Sequence, residues 1–156
     1  MIELTIRIDD KRIMAALNDP ELIKGPIRDF LLQSGLTVEG AARMRAPVDT
    51  GRLRNSITTE LEKTRVVVGS NLHYAPHVEF GTRPHWPPLA AMQPWARRHG
   101  FPAGRAGAFL VARAIARRGT KAQPYMRPAL EASRPMIEIF LDDAGREIER
   151  RWQKHG

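Results

Sequence analysis

The sequence contains no cysteine. That excludes disulfides, thiolate metal sites and a cysteine nucleophile. No stretch approaches the run of roughly 18 uncharged apolar residues that a membrane-spanning helix needs, so no membrane role is expected. The first residues, MIELTIRIDDKRIM, hold acids within ten positions and no apolar core, and do not read as a secretory signal. There is no glycine-rich phosphate loop, no G-x-S-x-G elbow and no acid pair with an evident role, so an enzyme is not expected. Aromatic residues are scarce, at 6%. What is present is a 156-residue chain, 42% hydrophobic and 27% charged. That is one domain with one core, expected to span residues 1–156, and neither a disordered tail nor a membrane protein.

A further absence is local. Between Glu79 and Glu131 lie 51 residues without an acid, and they carry nine bases: Arg83, Arg97, Arg98, Arg105, Arg113, Arg117, Arg118, Lys121 and Arg127. The rest of the chain has 16 bases against 17 acids, a net of −1, so the whole of the net charge of +8 comes from this segment. Such asymmetry points to a polyanion or an acidic partner surface. A solvated helical face is the plain alternative.

Residues 2–8 alternate apolar and polar, which predicts a strand with one buried face. Asp9-Asp10 suggests a short helical turn through Leu17. Asp19-Pro20-Glu21 starts a helix that should run to about Ala46, with a bend or break near Gly25 or Gly35. Residues 56–61 and 64–70 predict an antiparallel hairpin around Glu62-Lys63. Tyr74–Phe80 reads as one or two helical turns capped by Gly81. RPHWPP (83–88) is stiff and extended because its prolines fix φ. Leu89–His99 and Ala108–Arg118 predict helices, the second with Phe109, Leu110, Ala112, Ala114 and Ile115 apolar. Residues 121–126 are a candidate fourth strand. Pro128 opens a last helix with the stripe Leu130, Ile137, Phe140/Leu141, Ala144, Ile148 and Trp152, and Pro135 is a candidate bend.

Three constellations invite chemistry. Asp49-Thr50-Gly51 spells the aspartic-protease tripeptide, but it follows a helix rather than an apolar strand, and a local joint fits better. His73, His77, Glu79 and His85 suggest a metal, yet Pro76 interrupts the spacing and no general-base glutamate is present. Residues 88–118 mimic a helix-turn-helix. Their connection is too long, and the second helix has no Asn, Gln or Ser to read base edges. Non-specific DNA contact remains open. No cofactor is expected. Trp86 and Trp95 flank the stiff arm, and Trp86 has no nearby periodic stripe to bury it, which suggests an interface anchor.

Three stretches then occur in order: Ala46–Ile57 (APVDTGRLRNSI); Val68–Asn71 with Tyr74–Pro84 (YAPHVEFGTRP); and Gly119–Leu130 (GTKAQPYMRPAL). Together, over residues 40–132, they resemble a tail-component family of long-tailed bacteriophages and prophages, called tail completion or neck proteins and related to minor tail protein Z of phage lambda. Its motif positions here are Tyr74, Glu79, Phe80, Gly81, Thr82, Gln123, Pro124, Arg127 and Pro128. The resemblance implies a non-enzymatic α+β subunit. It also implies a homo-oligomeric ring, with a hexamer expected, at the head–tail junction of the virion, assembled in the host cytoplasm. The implied neighbours are connector or stopper and tail terminator or tail tube proteins. The fold expected is a small antiparallel sheet of about four strands packed by long N- and C-terminal helices, with a basic helical insertion at 86–118. Assembly is expected through the arm and insertion, at Arg83, Pro84, Trp86, Pro87, Arg97, Arg113 and Arg117. The acids expected opposite them are Glu138, Asp142, Glu147 and Glu149 of a neighbour.

Overall fold

Helix α1 (Pro20–Arg45) repeats apolar residues at helical spacing, and the structure buries them: Ile23, Ile27, Phe30, Leu31, Val38 and Ala42. In this computed structural model residues 2–7 and 20–155 are described. The turn read at Asp9–Leu17 and the cap at Asp19 lie outside them. The helix is assigned without a break through Gly25, Pro26 and Gly35. Gly35 is not a breaker because its missing side chain is what lets α1 approach the sheet. A Cβ there would overlap Cγ2 of Val66 and lie 2.6 Å from Cγ2 of Thr59.

The sheet has three antiparallel strands in the order β1-β3-β2: β1 (Ile2–Arg7), β2 (Ile57–Leu61) and β3 (Arg65–Ser70). β3 is central, pairing Ile2 with Ser70 on one side and Ile57 with Ser70 on the other. The hairpin closes where the Glu62 amide donates to the Arg65 carbonyl at 2.9 Å and the Arg65 guanidinium grips both Glu62 oxygens at 2.7 Å. That two-pronged hydrogen bond holds the Glu62 carboxyl below its ordinary range, with the guanidinium charge acting in the same direction.

The expected fourth strand at 121–126 is absent. Residues 121–125 take no regular structure, and the one bridge nearby, Thr82 to Thr120, lies just before them. Helix α6 (Met126–His155) takes over at Met126, two residues before Pro128, and is assigned without a break through Pro135. Nor do both long helices cover the sheet equally. α1 lies against β2 and β3, while α6 packs chiefly along α1. Ile137, Phe140, Ala144 and Ile148 of α6 join Ile23, Ile27, Phe30, Leu31, Leu61 and Val66 in one core.

The chain forms two compact units. One comprises residues through 75 and from 124 on; the other is Pro76–Gln123. The first holds the sheet, α1, α6 and the short α2 (Arg52–Ser56). The second holds most of α3 (Ala75–Phe80) together with α4 (Leu89–Arg98) and α5 (Arg105–Arg118).

Candidate assembly surface

In the first unit the Asp49-Thr50-Gly51 loop joins α1 to α2. Gly51 caps α2 in the left-handed region, φ 78° and ψ −8°, and its carbonyl accepts the Asn55 amide at 2.9 Å. Arg43 ties the two sides of this joint together. It donates through Nη2 and Nε to the Ile57 carbonyl at 2.7 and 3.1 Å, and pairs with Glu39 at 2.9 Å. Ser56 and Ser70 hydroxyls meet at 2.7 Å across the hairpin base. These contacts make the loop part of the scaffold.

In the second unit the two Gly-Thr pairs of the sequence meet. Thr82 and Thr120 exchange backbone hydrogen bonds of 3.1 and 3.2 Å, and the Thr120 hydroxyl adds a bond of 3.1 Å to Thr82 Oγ1. Gly81 and Gly119 both have φ 69°. A Cβ on Gly119 would overlap the Thr82 carbonyl oxygen, and one on Gly81 would overlap the Thr120 carbonyl oxygen. The Gln123 amide donates to the Val78 carbonyl at 2.8 Å, extending the clasp. Residues 83–118 are therefore pinched at their base.

Inside that unit the packing is made by small side chains. α5 buries Gly107, Ala108, Val111 and Ala112, and α4 buries Ala96. Gly107 sits so near the Pro102 carbonyl that any Cβ would overlap it. The large apolar side chains lie outside. Trp86, Phe101, Phe109 and Leu110 are exposed, Trp86 by 53% and Phe109 by 45%. The Trp86 ring meets Phe109 edge-on at 5.6 Å, and Trp95 stacks on His99 at 3.9 Å. Phe109 and Leu110 belong by sequence to the apolar set of their helix, and the structure leaves both exposed. The sequence signal that separates the faces is the small residues at 107, 108 and 112, which let a neighbouring backbone approach closely.

The expected interface residues divide. Arg83, Pro84, Trp86, Arg97, Arg113 and Arg117 are exposed, whereas Pro87 is buried. Among the motif residues Phe80 is exposed, Glu79 is buried and Tyr74 is half-buried. Gln123 and Pro124 are exposed, while Pro128 is half-buried in the first turn of α6. Arg127 pairs with Glu131 at 3.0 Å on that helix. On α6 itself, Leu141 and Trp152 were expected in the core stripe but are exposed. The residues sequence reasoning missed are Phe101, Phe109 and Leu110 as surface, and Arg105 beside them. Among the described residues no group of three or more His, Cys, Asp or Glu is arranged to hold a metal, and no helix is long and apolar enough to cross a membrane.

Charge separates as the packing does. The second unit carries seven arginines and one lysine against Glu79 alone. Aromatic and arginine side chains are thus both exposed on this unit, the residue types enriched where proteins meet.

Comparison with known proteins bears on the first unit and the start of the second. Residues 20–81 match a family model described as "Bacteriophage HK97-gp10, putative tail-component". This segment takes in α1, the Gly51 joint, the hairpin and α3. It includes the first of the three ordered motifs and most of the second, and it agrees with the tail-component resemblance read from them. No curated protein and no solved structure matches the chain.

Proposed function

We propose that this chain, whose residues 20–81 are similar to HK97-gp10-like phage tail components, is a structural subunit of the head–tail junction of a phage or prophage. It acts there as a homo-oligomeric ring subunit and not as a catalyst. The observation that carries the reading is the inverted packing of the second unit: small residues inside, Trp86, Phe101, Phe109 and Leu110 outside. A monomer gains nothing by exposing its largest apolar groups together, whereas an assembling subunit keeps them free for a neighbour. RPHWPP supports the same role, since a proline-fixed arm loses little entropy when it docks. The neighbours are further copies of the chain, and connector, stopper or tail proteins above and below.

The test is deletion of the gene from its phage, with complementation. A junction subunit predicts filled heads and finished tails that do not join, rescued by the wild-type gene. Normal virions without the gene would overturn the reading. The basic charge of the second unit favours one alternative, a nucleic-acid-binding protein. DNA affinity that falls steeply with salt, in a chain that never oligomerises, would support that instead.

A further inference from the structure

We propose that the basic ridge of α5 in one copy docks on an acidic stripe of α6 in the next copy, a contact between two different surfaces of the same chain. The proposal rests on the ring reading above and names the surfaces that join the subunits.

On α5, Arg105, Phe109, Arg113 and Arg117 stand four residues apart, and all four are exposed. Residues so spaced form one of the ridges by which helices interdigitate. Trp86, packed edge-on against Phe109, widens the ridge with apolar surface. Arg105, Arg113 and Arg117 make no ion pair among the described residues.

On α6 most acids already have partners along the helix. Glu131 pairs with Arg127, Asp143 with Arg146, and Glu147 with both Arg150 and Arg151. Glu147, expected at the interface, is thus occupied within its own helix. Glu138, Asp142 and Glu149 have no ion pair among the described residues. With Gly145 and Trp152 they fall at steps of four, three, four and three, which is one helical face, and every member is exposed. At Gly145 a Cβ would meet nothing within 4 Å, so the stripe has an open notch at its centre. Trp152 ends it as an apolar anchor, 60% exposed. Among the described residues, three carboxylates without an ion pair, one of them, Asp142, within the field of Arg146, therefore stand on one helix and three unpaired guanidiniums on another, each set beside an exposed aromatic.

The partner class follows from the side chains chosen. Guanidinium forks match carboxylates two-pronged, and arginine with aromatics marks protein interfaces, where lysine is depleted. The same forks also match phosphates, so what selects a second copy of this chain is the complementary acidic stripe that the chain itself carries on α6. A symmetric contact of the ridge with itself would set like charges together. Ridge on stripe does not, and it leaves each copy one free surface of each kind, the geometry that closes into rings.

The experiment is a charge swap read by sedimentation over a concentration series reaching about 1 mM, the weak limit of useful association. One variant carries Arg113→Glu and Arg117→Glu; a second carries Glu138→Arg and Asp142→Arg. Each alone is expected to weaken self-association on the order of 100-fold. Mixing the two, or combining all four changes in one chain, is expected to restore it. Restoration also shows that the variants are folded. Oligomers that form and ignore both reversals overturn the inference and leave the ring reading standing. A wild-type chain monomeric throughout removes both. Loss of duplex DNA binding by the Arg113/Arg117 variant, with self-association unchanged, assigns the ridge to nucleic acid and overturns the inference.

Discussion

Thr82 and Thr120, 38 residues apart, face each other as an antiparallel pair that closes the base of the second unit. Each is preceded by a glycine with φ 69°, and each glycine's missing Cβ makes room for the opposite backbone. The repeated Gly-Thr dipeptide is thus a single structural device. Gly119→Ala is expected to open this clasp at a cost of about 2 kcal/mol, from the left-handed backbone and the overlap with the Thr82 carbonyl. Hydrogen exchange at the Thr82 and Thr120 amides checks it. Protection should fall at these two amides and stay unchanged in β3.

Two glycines of one helix should respond with opposite sign. At Gly40 a Cβ meets nothing within 4 Å, so Gly40→Ala is expected to stabilise by roughly 0.5–1 kcal/mol through helix propensity. At Gly35 the same change drives a methyl into Val66 and Thr59, and is expected to cost about 1–3 kcal/mol despite the propensity gain. Urea midpoints of the two variants should move to opposite sides of the wild type.

Glu62 gives a pH prediction whose sign is fixed. Its folded carboxyl titrates below the ordinary value because Arg65 holds the ionised form. The stabilisation is therefore present above the unfolded carboxylate range and is lost as pH falls through the lower folded value. Side-chain NMR titration should place Glu62 below other exposed glutamates, and Arg65→Met should return it to them. A Glu62 titration that ignores Arg65→Met contradicts the hairpin geometry.

The Asp49-Thr50-Gly51 joint depends on its glycine. Gly51→Val forces a β-branched residue to φ near 78° and is expected to lower stability by more than about 1 kcal/mol, measured by thermal unfolding. Asp49→Asn, which would silence an aspartic protease, should leave virion assembly intact.

The long helices and the hairpin were legible because periodicity reports burial directly: Ile23, Ile27, Leu31 and Val38 on α1, Val66 and Val68 on β3. Gly35 misled as a breaker because a glycine's local weakness and its use for close approach look alike until the partner strand is known. The false fourth strand had the same cause. Residues 121–125 pair with no strand: the one bridge nearby belongs to Thr120, just before them, and Met126 already opens α6. Trp86 stood out from its prolines. Phe109 and Leu110 did not, because an apolar residue on a helix reads as core unless the small residues that actually pack, Ala108 and Ala112, are seen to claim that face. The resemblance to tail components was legible in ordered motifs, since those motifs encode turns and the clasp rather than hydrophobic pattern.

The central claim is that this chain joins heads to tails through the exposed aromatics of its second unit. Its most direct test is a phage carrying Trp86→Ala, with joined particles counted by electron microscopy against unjoined heads and tails. Loss of a central aromatic anchor costs about 2 kcal/mol or more at one interface, and a ring repeats the loss at every subunit. The account predicts normal levels of folded protein, filled heads and complete tails, with few joined virions. Joined virions at wild-type frequency would contradict it.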